Sequence, residues 1–75
     1  MAWLKTIDGD LVNLDSGVRV GIYEEEISKE THVKVYTPGG PGTGACYGTK
    51  EENRQYMKGF EQGLRDAGET IIDPS

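Results

Sequence analysis

A glycine-rich stretch with five Gly and two Pro in residues 38–48 directly precedes a predicted helix. Backbone amides in such a loop, together with a helix N-terminus, can bind a phosphate group. The order Gly48-Thr49-Lys50 departs from the phosphate loop of nucleotide hydrolases, which ends in Gly-Lys-Ser or Gly-Lys-Thr. The stretch therefore predicts either a flexible or partner-ordered loop, or a site that binds a nucleotide or nucleotide-like signal without hydrolysis. The residues of this candidate ligand loop are Gly40, Gly42, Gly44, Tyr47, Gly48 and Thr49.

A second candidate site lies on one face of a predicted sheet. Alternation along two strands places five basic or aromatic side chains together, namely Arg19, Tyr23, His32, Lys34 and Tyr36. Aromatic and basic groups are enriched in protein interfaces, and they also stack bases and contact phosphates. We therefore expect a protein partner or a second copy of the chain on this face. Single-stranded nucleic acid and an ordinary solvated face are the alternatives.

A run of acidic residues follows the first of these strands. Glu24, Glu25 and Glu26, with Glu30 nearby, form a charged connector around the apolar Ile27. Such a run is most often a solvated hairpin tip. It can also present carboxylates to a basic partner, because unlike charges steer proteins together. The three consecutive glutamates are therefore included among the candidate partner-binding residues.

The sequence offers little for catalysis or for metal binding. Cys46 is the only thiol and His32 the only imidazole. A thiol–imidazole pair needs a third group that orients the base, and no residue at a recognisable spacing supplies one. One Cys and one His are also too few for a zinc site of the usual kind. We therefore predict a protein that is not an enzyme and uses no cofactor, with Cys46 as a structural thiol.

Length and charge narrow the function classes further. The chain has 75 residues and a formal net charge of −5. One small domain over residues 1–75 is expected, and a catalytic barrel or a full dinucleotide fold is excluded. The acidic surplus disfavours duplex DNA as a partner, because such binding depends on Lys and Arg contacts to phosphates. Without an apolar run approaching ~18 residues or a signal-peptide pattern, we expect a cytoplasmic protein that does not enter membranes.

The elements that position these groups begin with a predicted β-hairpin. An Asp-Gly pair at residues 8–9 between two apolar runs is a strong turn signal. A two-residue turn there pairs Trp3 with Leu14. This register divides the apolar residues into one face with Trp3, Ile7, Val12 and Leu14, and an opposite face with Leu4 and Leu11.

Two more strands follow, over residues 18–24 and 31–37. Val18, Val20 and Ile22 alternate in the first, and Val33 and Val35 alternate in the second. The short connections favour an antiparallel meander. A short edge strand at residues 45–47, and another within residues 70–73, are further options.

A helix is predicted to begin after Thr49, which forms a capping-box pattern with Glu52. Gly68 is a suitable stop. Five residues recur at helical spacing and make an apolar stripe, namely Tyr56, Met57, Phe60, Leu64 and Ala67. Gly59 and Gly63 each cost roughly 1 kcal/mol inside a helix. We therefore expect a close approach of the helix to the sheet, or to another helix, at these glycines.

Together these elements predict an α+β fold. An antiparallel β-meander of three to five strands packs against one C-terminal amphipathic helix. A core of this size supplies only about 3–5 kcal/mol, so we expect a homo-oligomer.

Residues 3–15, W-L-K-T-x-D-G-D-L-V-N-L-D, resemble the start of short uncharacterised proteins from bacteria and their phages. In those proteins a β-meander precedes a helix with an acidic start, a pattern echoed by Glu51, Glu52 and Tyr56. The resemblance covers the first 24 residues and the helix, and it departs at residues 38–48. It implies a small accessory protein carried by a phage or prophage, and it supplies no catalytic residues. By association with small acidic phage proteins, we expect an inhibitor that acts against host defence.

Overall fold

The computed structural model describes residues 2–73 as a six-stranded sheet with one helix packed against it. The elements in chain order are β1 (Ala2–Lys5), β2 (Leu11–Asn13), β3 (Arg19–Glu24), β4 (Thr31–Tyr36), β5 (Thr43–Gly48), α1 (Lys50–Asp66) and β6 (Thr70–Ile72). The strands lie in the order β5-β4-β3-β2-β1-β6. All neighbours are antiparallel except β1 and β6, which are parallel. The predicted α+β fold is confirmed, with six strands rather than three to five.

Helix α1 packs against one face of the sheet, which we call the covered face. Its buried apolar side chains come from four strands and the helix, namely Trp3, Leu11, Val20, Val33 and Met57. The alternation of β3 and β4 produces this face, since Val20 pairs with Val35 and Ile22 pairs with Val33. The predicted valine face is therefore the face that meets the helix.

The predicted register of the first hairpin is wrong by one residue. Trp3 pairs with Asn13, one position earlier than predicted. The N–H of Thr6 donates to the Asp10 carbonyl at 2.9 Å, which leaves three residues in the loop. Gly9, the last of them, has φ of +90°. Such a loop is a type I turn followed by a left-handed residue, and it competes with the two-residue turn for the same Asp-Gly signal.

This register changes which residues of the hairpin enter the core. Leu11 joins Trp3 on the covered face and is only 1% exposed. Val12 lies on the opposite face and is half-buried. Ile7 and Leu14, predicted to share a face with Trp3, are exposed at the loop and beyond the end of β2.

Helix α1 begins and ends where the sequence predicts. The Glu52 N–H donates to Thr49 Oγ1 at 3.2 Å, and the Thr49 N–H donates to Glu52 Oε1 at 3.1 Å. These two bonds complete the capping box. At the other end Gly68 has φ of +85°, and the Glu69 N–H donates to the Leu64 carbonyl at 2.9 Å. This pattern is a Schellman stop.

The apolar stripe of α1 is narrower than predicted. Met57 is buried, and Phe60 and Leu64 pack partly buried against the core. Tyr56 and Ala67, at the margins of the predicted stripe, are exposed. The helix therefore contacts the sheet through few side chains, as expected for one helix on a broad sheet.

A buried asparagine adds a polar contact to this packing. Asn53 is fully buried, and its Nδ2 donates to Thr31 Oγ1 at 2.8 Å. The Thr31 hydroxyl donates in turn to the Gly48 carbonyl at 3.3 Å. This chain of bonds fixes the first turn of α1 to β4 and β5.

The two glycines inside α1 do not approach the sheet, so that expectation is wrong. A Cβ at Gly59 or Gly63 would meet no atom of residues 2–73 within 4 Å. Both residues are exposed. Their approach to another helix, the alternative, stays a prediction.

Candidate functional site

The face of the sheet opposite α1 carries the predicted basic and aromatic residues, and we call it the open face. Its members on β3 and β4 are Arg19, Tyr23, His32, Lys34 and Tyr36. The register confirms that they share this face, because Arg19 pairs with Tyr36 and Tyr23 pairs with His32. Leu4, Val12 and Ile72 continue the open face across β2, β1 and β6. No element of residues 2–73 covers it.

Three rings form a row across one end of the open face, which we call the aromatic row. His32 lies between Tyr23, at 5.3 Å between ring centroids, and Tyr47, at 4.9 Å. His32 and Tyr47 are stacked with 26° between their planes. Lys34 Nζ lies 4.2 Å from the centre of the Tyr23 ring, a cation–π contact. The row buries His32 to 6% exposure and leaves Tyr47 73% exposed at the sheet edge.

Tyr47 belongs to this surface, although the sequence placed it in the candidate ligand loop. It pairs with His32, while Val33 pairs with Cys46 and Lys34 with Gly44. This register skips one residue of β5 and forms a β-bulge, which breaks the regular alternation. Because of the bulge, simple alternation along β5 does not reveal the face on which Tyr47 lies.

Two glycines of the glycine-rich stretch make room for open-face rings. A Cβ at Gly42 would lie 2.8 Å from Cε1 of Tyr36. A Cβ at Gly44 would collide with the Tyr47 hydroxyl. Residues with side chains would push both rings away from the sheet. The observed role of these glycines is therefore to let tyrosines lie close to the backbone.

An ion pair occupies the middle of the open face. Arg19 Nε donates to Asp10 Oδ2 at 2.7 Å. The Asp10 carboxylate reaches across Gly21, where a Cβ would collide with it. Arg19 is thereby held in place and its charge is largely balanced by Asp10. Asp10 is not among the predicted site residues, because hairpin signals alone do not place it beside Arg19.

Two backbone amides of the candidate ligand loop, those of Gly40 and Thr49, already donate to groups within the chain. Gly48 ends β5, and the Gly40 N–H donates to the Thr37 carbonyl at 3.1 Å. At the helix N-terminus the Glu52 carboxylate takes the place that an anion would occupy, accepting from the Thr49 N–H. This backbone bond, and then the bond with the Thr49 side chain, holds the pKa of Glu52 below its usual value. A negative charge at this position opposes phosphate binding.

The acidic run forms a hairpin tip beside the aromatic row. Glu24 pairs with Thr31, the position directly after the pair of Tyr23 and His32. The three glutamates 24–26 are exposed, and Ile27 at the tip is 98% exposed. The candidate partner-binding residues Glu24, Glu25 and Glu26 therefore border the same end of the sheet as the rings.

The thiol and the imidazole lie on opposite faces of the sheet. Cys46 is half-buried and packs against the core on the covered face. His32 is on the open face, stacked on Tyr47 and tilted beside Tyr23. The two groups therefore cannot act as a nucleophile and its base. Among residues 2–73, no group of three or more His, Cys, Asp or Glu side chains is arranged to hold a metal ion.

The chain matches no family model, no curated protein and no solved structure. No helix within residues 2–73 is long and apolar enough to cross a membrane.

Proposed function

We propose that this protein is a non-enzymatic interaction protein, an accessory or inhibitor that binds a protein partner through its open face. The observation that carries the proposal is the aromatic row, packed on an uncovered sheet face beside Lys34 and an exposed acidic tip. We place this role in the cytoplasm, where Cys46 remains a thiol.

The side chains of the open face are already ordered by contacts with one another, which supports binding of a protein partner. Tyr23, His32 and Tyr47 already contact one another, so little side-chain entropy is lost on binding. Interfaces are enriched in Tyr and Arg, which often act as hot spots. Leu4 and Val12, half-buried on the same face, extend it with apolar surface. Rings, one guanidinium and aliphatic groups together resemble the centre of a protein interface.

The charges of the open face give less support to nucleic acid. Arg19 is paired with Asp10, and the Lys34 amine lies over the Tyr23 ring. The His32 ring is stacked on Tyr47 and lies tilted beside Tyr23. The cations of this face are therefore already engaged within the chain, whereas single-strand binders need cations free to contact phosphates.

The proposal is tested by partner capture from an extract of the native cell, with variants that make the same kind of substitution on the open face and on the helix. Tyr36→Ala and Arg19→Ala alter the open face, and Tyr56→Ala removes an exposed tyrosine from the helix instead. We expect the first two variants to lose most of the captured partner and Tyr56→Ala to retain it. Equal capture by all three folded variants would show that the open face is not the binding surface.

Two alternatives have their own measurements. Heat on mixing with a nucleotide, lost in Gly42→Ala, would support nucleotide binding at the glycine-rich stretch. Binding of single-stranded nucleic acid that weakens steeply with added salt would support a role as a single-stranded nucleic-acid binder. We expect neither.

A further inference from the structure

One corner of the covered face is left open by α1. Ile22 is 40% exposed, although its pairing partner Val33 is fully buried. The corner forms a cavity of about 290 Å³ between the β1–β2 loop and the helix. Leu11, Ile22 and Met57 supply apolar lining. A cavity of this size is at the lower end of small-molecule sites, which combine apolar walls with a few polar groups.

The lining of this cavity carries three cations, Lys5, Arg54 and Lys58, and three carboxylates, Asp8, Asp10 and Glu61. Arg54 and Lys58 line it from α1. They are four residues apart, so two like charges lie on adjacent turns, an arrangement that costs helix stability. Among residues 2–73, the only ion pair of Arg54 is a loose 3.9 Å contact with Glu51, and Lys58 forms none. These two cations are available to a bound anion.

The other charged groups of the cavity are balanced, with one exception. Lys5 pairs with Glu61 at 3.1 Å, and Asp10 is held by Arg19. Asp8, on the β1–β2 loop, remains as a negative charge at the rim. A ligand with one negative charge satisfies the helix cations, whereas a polyphosphate would meet Asp8 unfavourably.

We propose that this corner binds a small organic monoanion, a carboxylate with an aromatic or aliphatic body. The carboxylate lies between Arg54 and Lys58, where charge-assisted hydrogen bonds can form. The body covers Ile22 and the neighbouring apolar lining. The site is separate from the aromatic row, so it stands or falls independently of the proposed function.

The test is calorimetry and NMR titration of the full chain with benzoate as the probe. Benzyl alcohol serves as the neutral analogue and phenyl phosphate as the more highly charged one. We expect benzoate to bind best and to shift the signals of Ile22 and the β1–β2 loop. The double variant Arg54→Gln with Lys58→Gln should weaken benzoate binding at least about tenfold. Lys50→Gln, which removes an exposed cation at the start of the same helix, should leave it unchanged.

Three outcomes would overturn the proposal. The first is no benzoate binding up to millimolar concentration, and the second is equal binding by the double variant. The third is binding of benzyl alcohol or phenyl phosphate as tight as that of benzoate, because the site would then not select a single negative charge. Circular dichroism establishes that each variant is folded before titration.

Discussion

The two faces of the sheet are formed by the same strands, but their side chains are packed differently. The covered face is aliphatic and is buried by α1, with Leu11 and Val33 almost completely removed from solvent. The open face packs its rings against one another, against Lys34 and against backbone glycines. The covered face therefore provides stability, while the open face presents ordered groups that no part of residues 2–73 covers. Substitutions on the two faces should consequently separate stability from binding.

The largest expected effect comes from one substitution made on each face. Leu11→Ala removes a fully buried side chain and should lower the free energy of unfolding by about 3 kcal/mol, within the range for such sites. Leu4→Ala makes the same chemical change at a half-buried position on the open face, and it should cost less than half as much. Urea unfolding measures both.

This pair of variants also tests the hairpin register. The two-residue turn places Leu4 and Leu11 on the same face, whereas the three-residue loop separates them. Similar losses for the two variants would contradict the three-residue loop. Because the total stability of so small a core is about 3–5 kcal/mol, Leu11→Ala should leave at most about 2 kcal/mol, and a measurable fraction of the molecules should then be unfolded without urea.

The parts of the fold that were predictable from sequence rest on local rules. The capping box of Thr49 and Glu52 acts within one turn, so it is recognised without tertiary structure. Alternation along β3 and β4 correctly grouped Arg19 with Tyr36, since a period of two needs no partner strand to be known. The open face was therefore largely predictable.

The features that could not be predicted are those for which the local sequence is compatible with more than one structure. Asp-Gly suits two turn types, and the burial of Leu11 beside Trp3 is consistent with only one of them. The bulge in β5 hid the position of Tyr47. Asn53 is polar, so its complete burial and its bond to Thr31 were not visible in a hydrophobic pattern. Such features follow from packing between elements distant in sequence.

Replacing a glycine by alanine should change stability by an intermediate amount, with opposite signs at Gly59 and Gly42. Gly59 lies in the helix with open space around it, so Gly59→Ala should stabilise the protein by about 1 kcal/mol. This corresponds to a rise in Tm of roughly 4–8 °C for a domain of this size. Gly42→Ala should lower Tm, because the added methyl group displaces the Tyr36 ring.

Partner capture adds a second measurement to this pair. Gly42→Ala should weaken binding through the open face, and Gly59→Ala should leave it unchanged. A Gly42→Ala variant that is as stable as the wild type and binds equally well would contradict the role of this glycine as space for Tyr36.

The smallest effect concerns the ion pair of Lys5 and Glu61 at the edge of the covered face. Burial raises the pKa of Glu61, but hydrogen bonds and charge from Lys5 and Arg65 outweigh it, so the pKa lies below its ordinary value of 4.5. A carboxylate whose pKa is lowered by folding stabilises the protein at pH values above its ordinary pKa. This contribution is lost as the pH falls through the folded-state pKa. Both partners are partly exposed, so we expect Glu61→Gln to cost less than about 1 kcal/mol at neutral pH. In acid, the stabilities of Glu61→Gln and of Lys5→Met should both converge with that of the wild type, as measured by urea unfolding at a series of pH values. A difference that stays constant with pH would contradict a stabilising role for the Lys5–Glu61 ion pair.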